Sequence, residues 1–86
     1  MELLYPRCAG LDVHKDVVMA CARIQVREYA KHPTAEFPTT TRGLLALADW
    51  LEENQCQHVA MEATGVYWKP VWHVLERRFE LLLVNP

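Results

Sequence analysis

Ala9-Gly10-Leu11-Asp12-Val13-His14-Lys15-Asp16 sets a carboxylate into an otherwise apolar run, Cys8 to Val13. A strand of this kind normally carries no charge. An unpaired carboxylate in an apolar setting costs on the order of several kcal/mol or shifts its pKa. Asp12 is tolerable if the strand faces a cleft that receives a cation or a metal-bound phosphate. Gly10 leaves room for another backbone or a ligand to approach closely. The plainer reading is a strand that ends at Asp12 and turns at His14-Lys15.

The flanking chain extends this strand, Arg7 to Val13, into a sheet. Asp16 to Gln25 is β-branched and apolar, a second strand. His14-Lys15 is a two-residue connection, so the pair is an antiparallel hairpin. That loop length places Asp16 opposite Val13 and Cys21 opposite Cys8. Val26 to Phe37 alternates only in part, around His32-Pro33-Thr34. Pro33 keeps it from the centre of a sheet, so it reads as an interrupted edge strand closed by Phe37-Pro38.

Two helical stripes follow. Leu44, Leu47, Ala48 and Leu51 recur at i, i+3, i+4 and i+7, behind the hydroxyl caps Thr39-Thr40-Thr41. This predicts a first helix over 41–54, with Asp49 on its outer face and Trp50 at its rim. Trp68, Val71, Trp72 and Leu75 repeat the pattern in a second helix. Pro70 restricts its start to about Val66 or Tyr67, or kinks it. Arg77-Arg78 suits the last turn electrostatically; a phosphate contact is the functional alternative. Between the helices, His58-Val59-Ala60-Met61-Glu62-Ala63 reads as a buried parallel strand, Gln57 to Ala63. A second lone carboxylate, Glu62, lies near its carboxyl end, where open α/β sheets place functional groups. Glu80 to Val84 is a last strand.

Strand, strand, strand, helix, strand, helix, strand predicts a mixed sheet of order 3-2-1-4-5 with two crossover helices. Strands 1 and 4 are then neighbours, and Asp12 faces Glu62. Two carboxylates so placed repel unless a cation lies between them, and an oxygen-only donor set favours Mg²⁺ or Mn²⁺. Metals held this way activate a water or hydroxyl and stabilise the leaving oxygen in phosphodiester cleavage. Asp16, leaving the hairpin turn, reads as solvated rather than as a third acid.

The 86 residues suffice for one small domain, or a piece of one, and half are apolar. A chain of this size buries only roughly 60–65% of its unfolded surface. A net charge of −2 lacks the basic surplus of an autonomous nucleic-acid binder. No run of about 18 apolar residues predicts a membrane span, and Met1-Glu2-Leu3-Leu4-Tyr5-Pro6 does not read as a signal peptide. Cys8, Cys21 and Cys56 are an odd set without metal-ligand spacing, which favours free thiols in a reducing cytoplasm. The scattered His14, His32, His58 and His73 give no recognisable zinc pattern.

Gly10-Leu11-Asp12-Val13-His14-Lys15, Thr41-Arg42-Gly43-Leu44, Met61-Glu62-Ala63-Thr64-Gly65-Val66-Tyr67-Trp68 and Leu83-Val84-Asn85-Pro86 resemble the N-terminal part of the DEDD transposases of bacterial insertion sequences, the insertion sequence 110 family. The resemblance runs from Arg7 to Pro86, and the Met-Glu-Ala-Thr-Gly-x-Tyr-Trp run is its most specific part. It implies a ribonuclease H-like (RuvC-like) α/β fold, truncated before the final helix, with residues 1–86 forming the N-terminal part of the nuclease domain. Asp12 and Glu62 fall on the family's first two catalytic, metal-binding acids. The other two, an Asp-x-x-Asp pair, and a C-terminal nucleophilic serine match no residue of this sequence. The implied activity is Mg²⁺- or Mn²⁺-dependent cleavage and exchange of DNA strands in transposition, in the bacterial cytoplasm at the nucleoid. The implied partners are DNA and a guide RNA. A homo-oligomer covering the open sheet edge is also expected, and the isolated piece is expected to be inactive. Two other readings fit parts of the pattern. One is a sugar-kinase or actin-like ATPase lobe, although His14-Lys15 lacks the Gly-rich, hydroxyl-rich hairpin such lobes use for phosphate. The other is a non-catalytic assembly module anchored by Trp50, Trp68 and Trp72.

Overall fold

The computed structural model describes residues 5–84. The end of the Leu83-Val84-Asn85-Pro86 motif and the start of the Met1–Pro6 segment therefore lie outside the described residues. In chain order the elements are β1 (Arg7–Val13), β2 (Val17–Val26), β3 (Tyr29–Lys31), β4 (Thr34–Pro38), α1 (Thr41–Glu53), β5 (His58–Ala63), α2 (Trp68–Leu75) and β6 (Glu80–Val84).

Alternation along β1 sorts its side chains onto two faces. Ala9, Leu11 and Val13 join Val18, Ala20 and Ala22 of β2 and Val59 and Met61 of β5 in one buried cluster. Leu44, Leu47 and Leu51 of α1 and Val71 and Leu75 of α2 close that cluster from above. Each such buried Leu or Val contributes about 1.5–3 kcal/mol relative to exposure. Both helices therefore cover the same face of the sheet. Gly10 and Asp12 belong to the other face.

The sheet runs β3-β2-β1-β5-β6, and β4 also pairs with β2. This is the expected order, with the third strand divided in two. β3 and β4 both run antiparallel to β2, at Val26↔Tyr29 and at Val18↔Phe37. The break falls at His32-Pro33, where the Pro33 carbonyl accepts a hydrogen bond from the Ala22 amide at 2.9 Å. Proline lacks a donor but not an acceptor, so the interruption stays attached to the sheet.

The hairpin register differs from the expected one. Val13 pairs with Val18, Cys8 with Arg23 and Cys21 with Gly10. The connection is wider than His14-Lys15 alone, and β2 begins at Val17 rather than Asp16. His14 N–H donates to the Val17 carbonyl at 2.9 Å. The wider turn is held from outside the hairpin. The Thr39 hydroxyl donates to the Lys15 carbonyl at 2.8 Å, and the Thr39 amide donates to the Asp16 carbonyl at 3.2 Å.

Of the three candidate caps, Thr40 opens α1: its hydroxyl accepts the Gly43 amide at 3.0 Å. The helix closes with a Schellman pair, Cys56 N–H to the Leu51 carbonyl and Gln55 N–H to the Glu52 carbonyl, both at 2.9 Å. Trp50 meets Phe37 edge-on at 5.9 Å, a rim contact as expected. In α2, Pro70 is the third residue, inside the first turn where no amide donor is needed. Trp68 and Trp72 pack against the core as a T-shaped pair at 5.9 Å.

Arg77 and Arg78 fall beyond α2 rather than in its last turn. The Arg78 guanidinium binds Glu52 at 2.7 Å and Asp49 at 3.5 Å, joining the end of α2 to α1. Its hydrogen bond draws the Glu52 carboxyl below the usual carboxylate range and raises its own pKa. Arg78 is thus engaged by two carboxylates.

Candidate metal centre

Asp12 and Glu62 are direct partners in the parallel register of β1 and β5. Partners in a parallel pair project to the same face, and neighbouring strands lie about 4.8 Å apart. The face is the one opposite the helices, near the carboxyl ends of both strands. Asp12 is exposed and Glu62 half-buried. No lysine or arginine bridges either carboxylate among the described residues.

The pair lines a shallow cavity of about 440 Å³, floored by Gly10 and flanked by Met19, Cys21 and Arg23. Gly10 pairs with Ala60 on one side and Cys21 on the other, so the floor is low where the strands carry their smallest side chains. The register also extends the acidic row. Asp12 partners Met19, and Met19 partners Glu36 on β4. Glu36 is an acid on this face that the sequence reading passed over. β2, with the Met19 thioether, separates it from Asp12, and β2 and β1 together separate it from Glu62.

One contact was not anticipated. The Nε2 atom of His14 lies 3.0 Å from Oδ2 of Asp12. His14 comes two positions after Asp12, so the strand alternation returns it to the same side. That alternation, carried one step past Val13, was the available signal.

The donor set suits a hard divalent cation: two carboxylates on one face, open to water. No three His, Cys, Asp or Glu side chains converge on one point among the described residues. Water would therefore complete most of the coordination shell of any ion held by Asp12 and Glu62. Asp16 is exposed, and its carbonyl, rather than its carboxylate, carries the contact to Thr39. The cysteines stay thiols: Cys8 and Cys56 are buried and Cys21 is exposed. No helix is long and apolar enough to cross a membrane among the described residues.

The fold matches solved structures of a Holliday junction resolvase. The fowlpox virus Holliday junction resolvase superimposes with a TM-score of 0.65 at 11% identity, over 93% of this chain and 61% of that one. The same resolvase in complex with substrate Holliday junction DNA gives 0.65 at 12% identity, over 93% and 60%. The chain thus spans about three-fifths of those structures, and its fold is the RuvC-like, ribonuclease H-like one. None of the curated protein sequences matches it. A family described as transposase, the DEDD type of insertion sequence 110, matches residues 9–86. That match takes in β1 from Ala9 and every later element, and so spans Asp12 and Glu62. The chain belongs to the insertion sequence 110 family of DEDD transposases.

Proposed function

We propose that residues 1–86 form the N-terminal part of the RuvC-like nuclease domain of a transposase. The complete protein cleaves and exchanges DNA strands when an insertion sequence moves. The observation that carries this reading is the register pairing of Asp12 with Glu62 at the carboxyl ends of adjacent parallel strands. Asp12 and Glu62 would hold Mg²⁺ or Mn²⁺. Such an ion, when bound, supplies Lewis acidity and an activated water for phosphodiester cleavage. The protein's own part is placement. β1 and β5 fix the two carboxylates side by side, and the low floor at Gly10 leaves space beside them. DNA is the substrate. Family membership supports extending the proposal to a guide RNA and a homo-oligomer.

Two carboxylates leave most of an octahedral shell to water, so the 86-residue chain is expected to bind Mg²⁺ weakly and to cleave no DNA. The family's Asp-x-x-Asp pair would add ligands. The test is Mg²⁺ and Mn²⁺ titration of three chains: this one, one extended through that acidic pair, and the extended one with Asp12→Asn. The extended chain should bind more tightly and should lose that gain with Asp12→Asn. Equal affinity in all three would make Asp12 an ordinary strand-end residue and end the nuclease reading.

A further inference from the structure

His14 has no structural duty that requires its imidazole. The turn around it is held by backbone and by Thr39: His14 N–H to the Val17 carbonyl, and the Thr39 hydroxyl to the Lys15 carbonyl. The ring is exposed, and so is its partner Asp12, with side chains 53% and 62% accessible. An exposed pair of this kind adds little to stability. Yet the backbone on either side is fixed, so the ring is presented from a rigid point.

The spacing of the two donor atoms is informative. An octahedral ion with bonds of about 2.1 Å sets neighbouring donors about 3.0 Å apart. His14 Nε2 and Asp12 Oδ2 are 3.0 Å apart. A cation can therefore take both atoms in place of the hydrogen bond, once the exposed ring turns its Nε2 lone pair from Asp12 toward the ion. We propose that Asp12 and His14 form a two-donor chelate, one oxygen and one imidazole nitrogen on a single octahedral edge, that shifts the site's cation choice from Mg²⁺ toward Mn²⁺ and other first-row transition ions. The inference rests on Asp12 being the metal-bearing carboxylate of the proposed function, and it adds a nitrogen donor to that site.

The chemistry gives the direction. Mg²⁺ is hard, sheds water reluctantly and gains little from an imidazole. First-row transition ions accept imidazole nitrogen more readily, increasingly so from Mn²⁺ toward Cu²⁺. With Mg²⁺, His14 stays hydrogen-bonded at the rim and Asp12 binds alone or with Glu62. With Mn²⁺, the ring nitrogen enters the coordination shell.

The test uses Mn²⁺ on the 86-residue chain, read by pulsed electron paramagnetic resonance for nitrogen coupled directly to the ion. Mg²⁺ competition gives the preference. The wild type should show imidazole nitrogen coupling. His14→Ala should lose it, although His32, His58 and His73 remain. The preference for Mn²⁺ over Mg²⁺ should fall by roughly tenfold, the scale on which groups around a metal act. His14→Gln, which can still hydrogen-bond Asp12, should behave as His14→Ala does. Circular dichroism checks that each variant folds. Mn²⁺ bound in an Asp12-dependent way without nitrogen coupling would overturn the chelate and leave the carboxylate site standing. Nitrogen coupling that survives Asp12→Asn would also overturn it, since the ring would then bind alone. Mn²⁺ affinity unchanged by both Asp12→Asn and Glu62→Gln would remove the carboxylate site and the chelate with it.

Discussion

Gly43 packs so closely under Pro38 that a methyl group on its Cα would overlap the Pro38 carbonyl oxygen and lie 2.7 Å from Pro38 Cγ. The glycine of the Thr41-Arg42-Gly43-Leu44 motif is therefore a packing residue. It lets the first turn of α1 press onto the end of β4. Gly43→Ala should destabilise the fold by about 1–3 kcal/mol, because backbone rather than a flexible side chain must yield. Urea unfolding measures this. A neutral or stabilising Ala, as helix propensity alone would give, would show that the junction is loose.

Thr39 and Thr40 are adjacent hydroxyls with separate tasks. Thr40→Ala removes the α1 cap and should cost about 1 kcal/mol. Thr39→Val keeps the shape and removes the donor to the Lys15 carbonyl, so roughly 0.5–1.5 kcal/mol should be lost. The two differ in where the loss shows. Amide exchange should speed up at His14 for Thr39→Val and at Gly43 for Thr40→Ala.

Local pattern carried most of the fold. The Leu44, Leu47, Ala48, Leu51 stripe and the strand at His58–Ala63 are where periodicity placed them. The sheet order followed from connection lengths, and it brought Asp12 beside Glu62. The hairpin register was not legible, because the bonds that widen the turn come from Thr39, more than twenty positions away in sequence. Arg78 was misplaced for a similar reason. Helix α2 ends at Leu75, and the arginine finds its partners, Glu52 and Asp49, on another helix. The His14 contact escaped because a turn residue was read by its loop rather than by its side of the sheet.

The thiols give a pH dependence with a definite sign. Burial raises the Cys56 thiol to about 11, with the nearby Cys8 adding to the effect, and burial also raises Cys8. In the unfolded chain these thiols ionise near 8.5. Folding then favours the protonated thiol. The stabilisation is complete below that value and is lost as pH rises toward 11, where the unfolded state ionises first. Stability should therefore decline between about pH 8.5 and 11, and the decline should be smaller in Cys56→Ala. Under native conditions at neutral pH a thiol reagent should label exposed Cys21 first and leave Cys8 and Cys56 until the chain opens.

The acid pair should weaken the metal-free fold that carries it. Asp12 and Glu62 are register partners, and like charges directly opposite each other on neighbouring strands are destabilising. Glu62→Gln removes one charge and nearly preserves shape. In chelator and low salt it should raise stability by roughly 0.2–1 kcal/mol. That corresponds to about 1–6 °C for a domain of this size. Asp12→Asn is the less clean comparison, since it also changes the bond to His14. Raising the ionic strength should shrink the difference, because both groups reach solvent. Magnesium should then reverse the order. At tenfold its dissociation constant it would stabilise the wild type by about 1.4 kcal/mol, while the variant, short of one ligand charge, gains less. Thermal unfolding of both proteins with chelator and with Mg²⁺ reads the crossing directly. If Glu62→Gln does not stabilise the metal-free chain, the two carboxylates do not sense each other. If Mg²⁺ raises both proteins equally, Glu62 is no ligand, whatever its place beside Asp12.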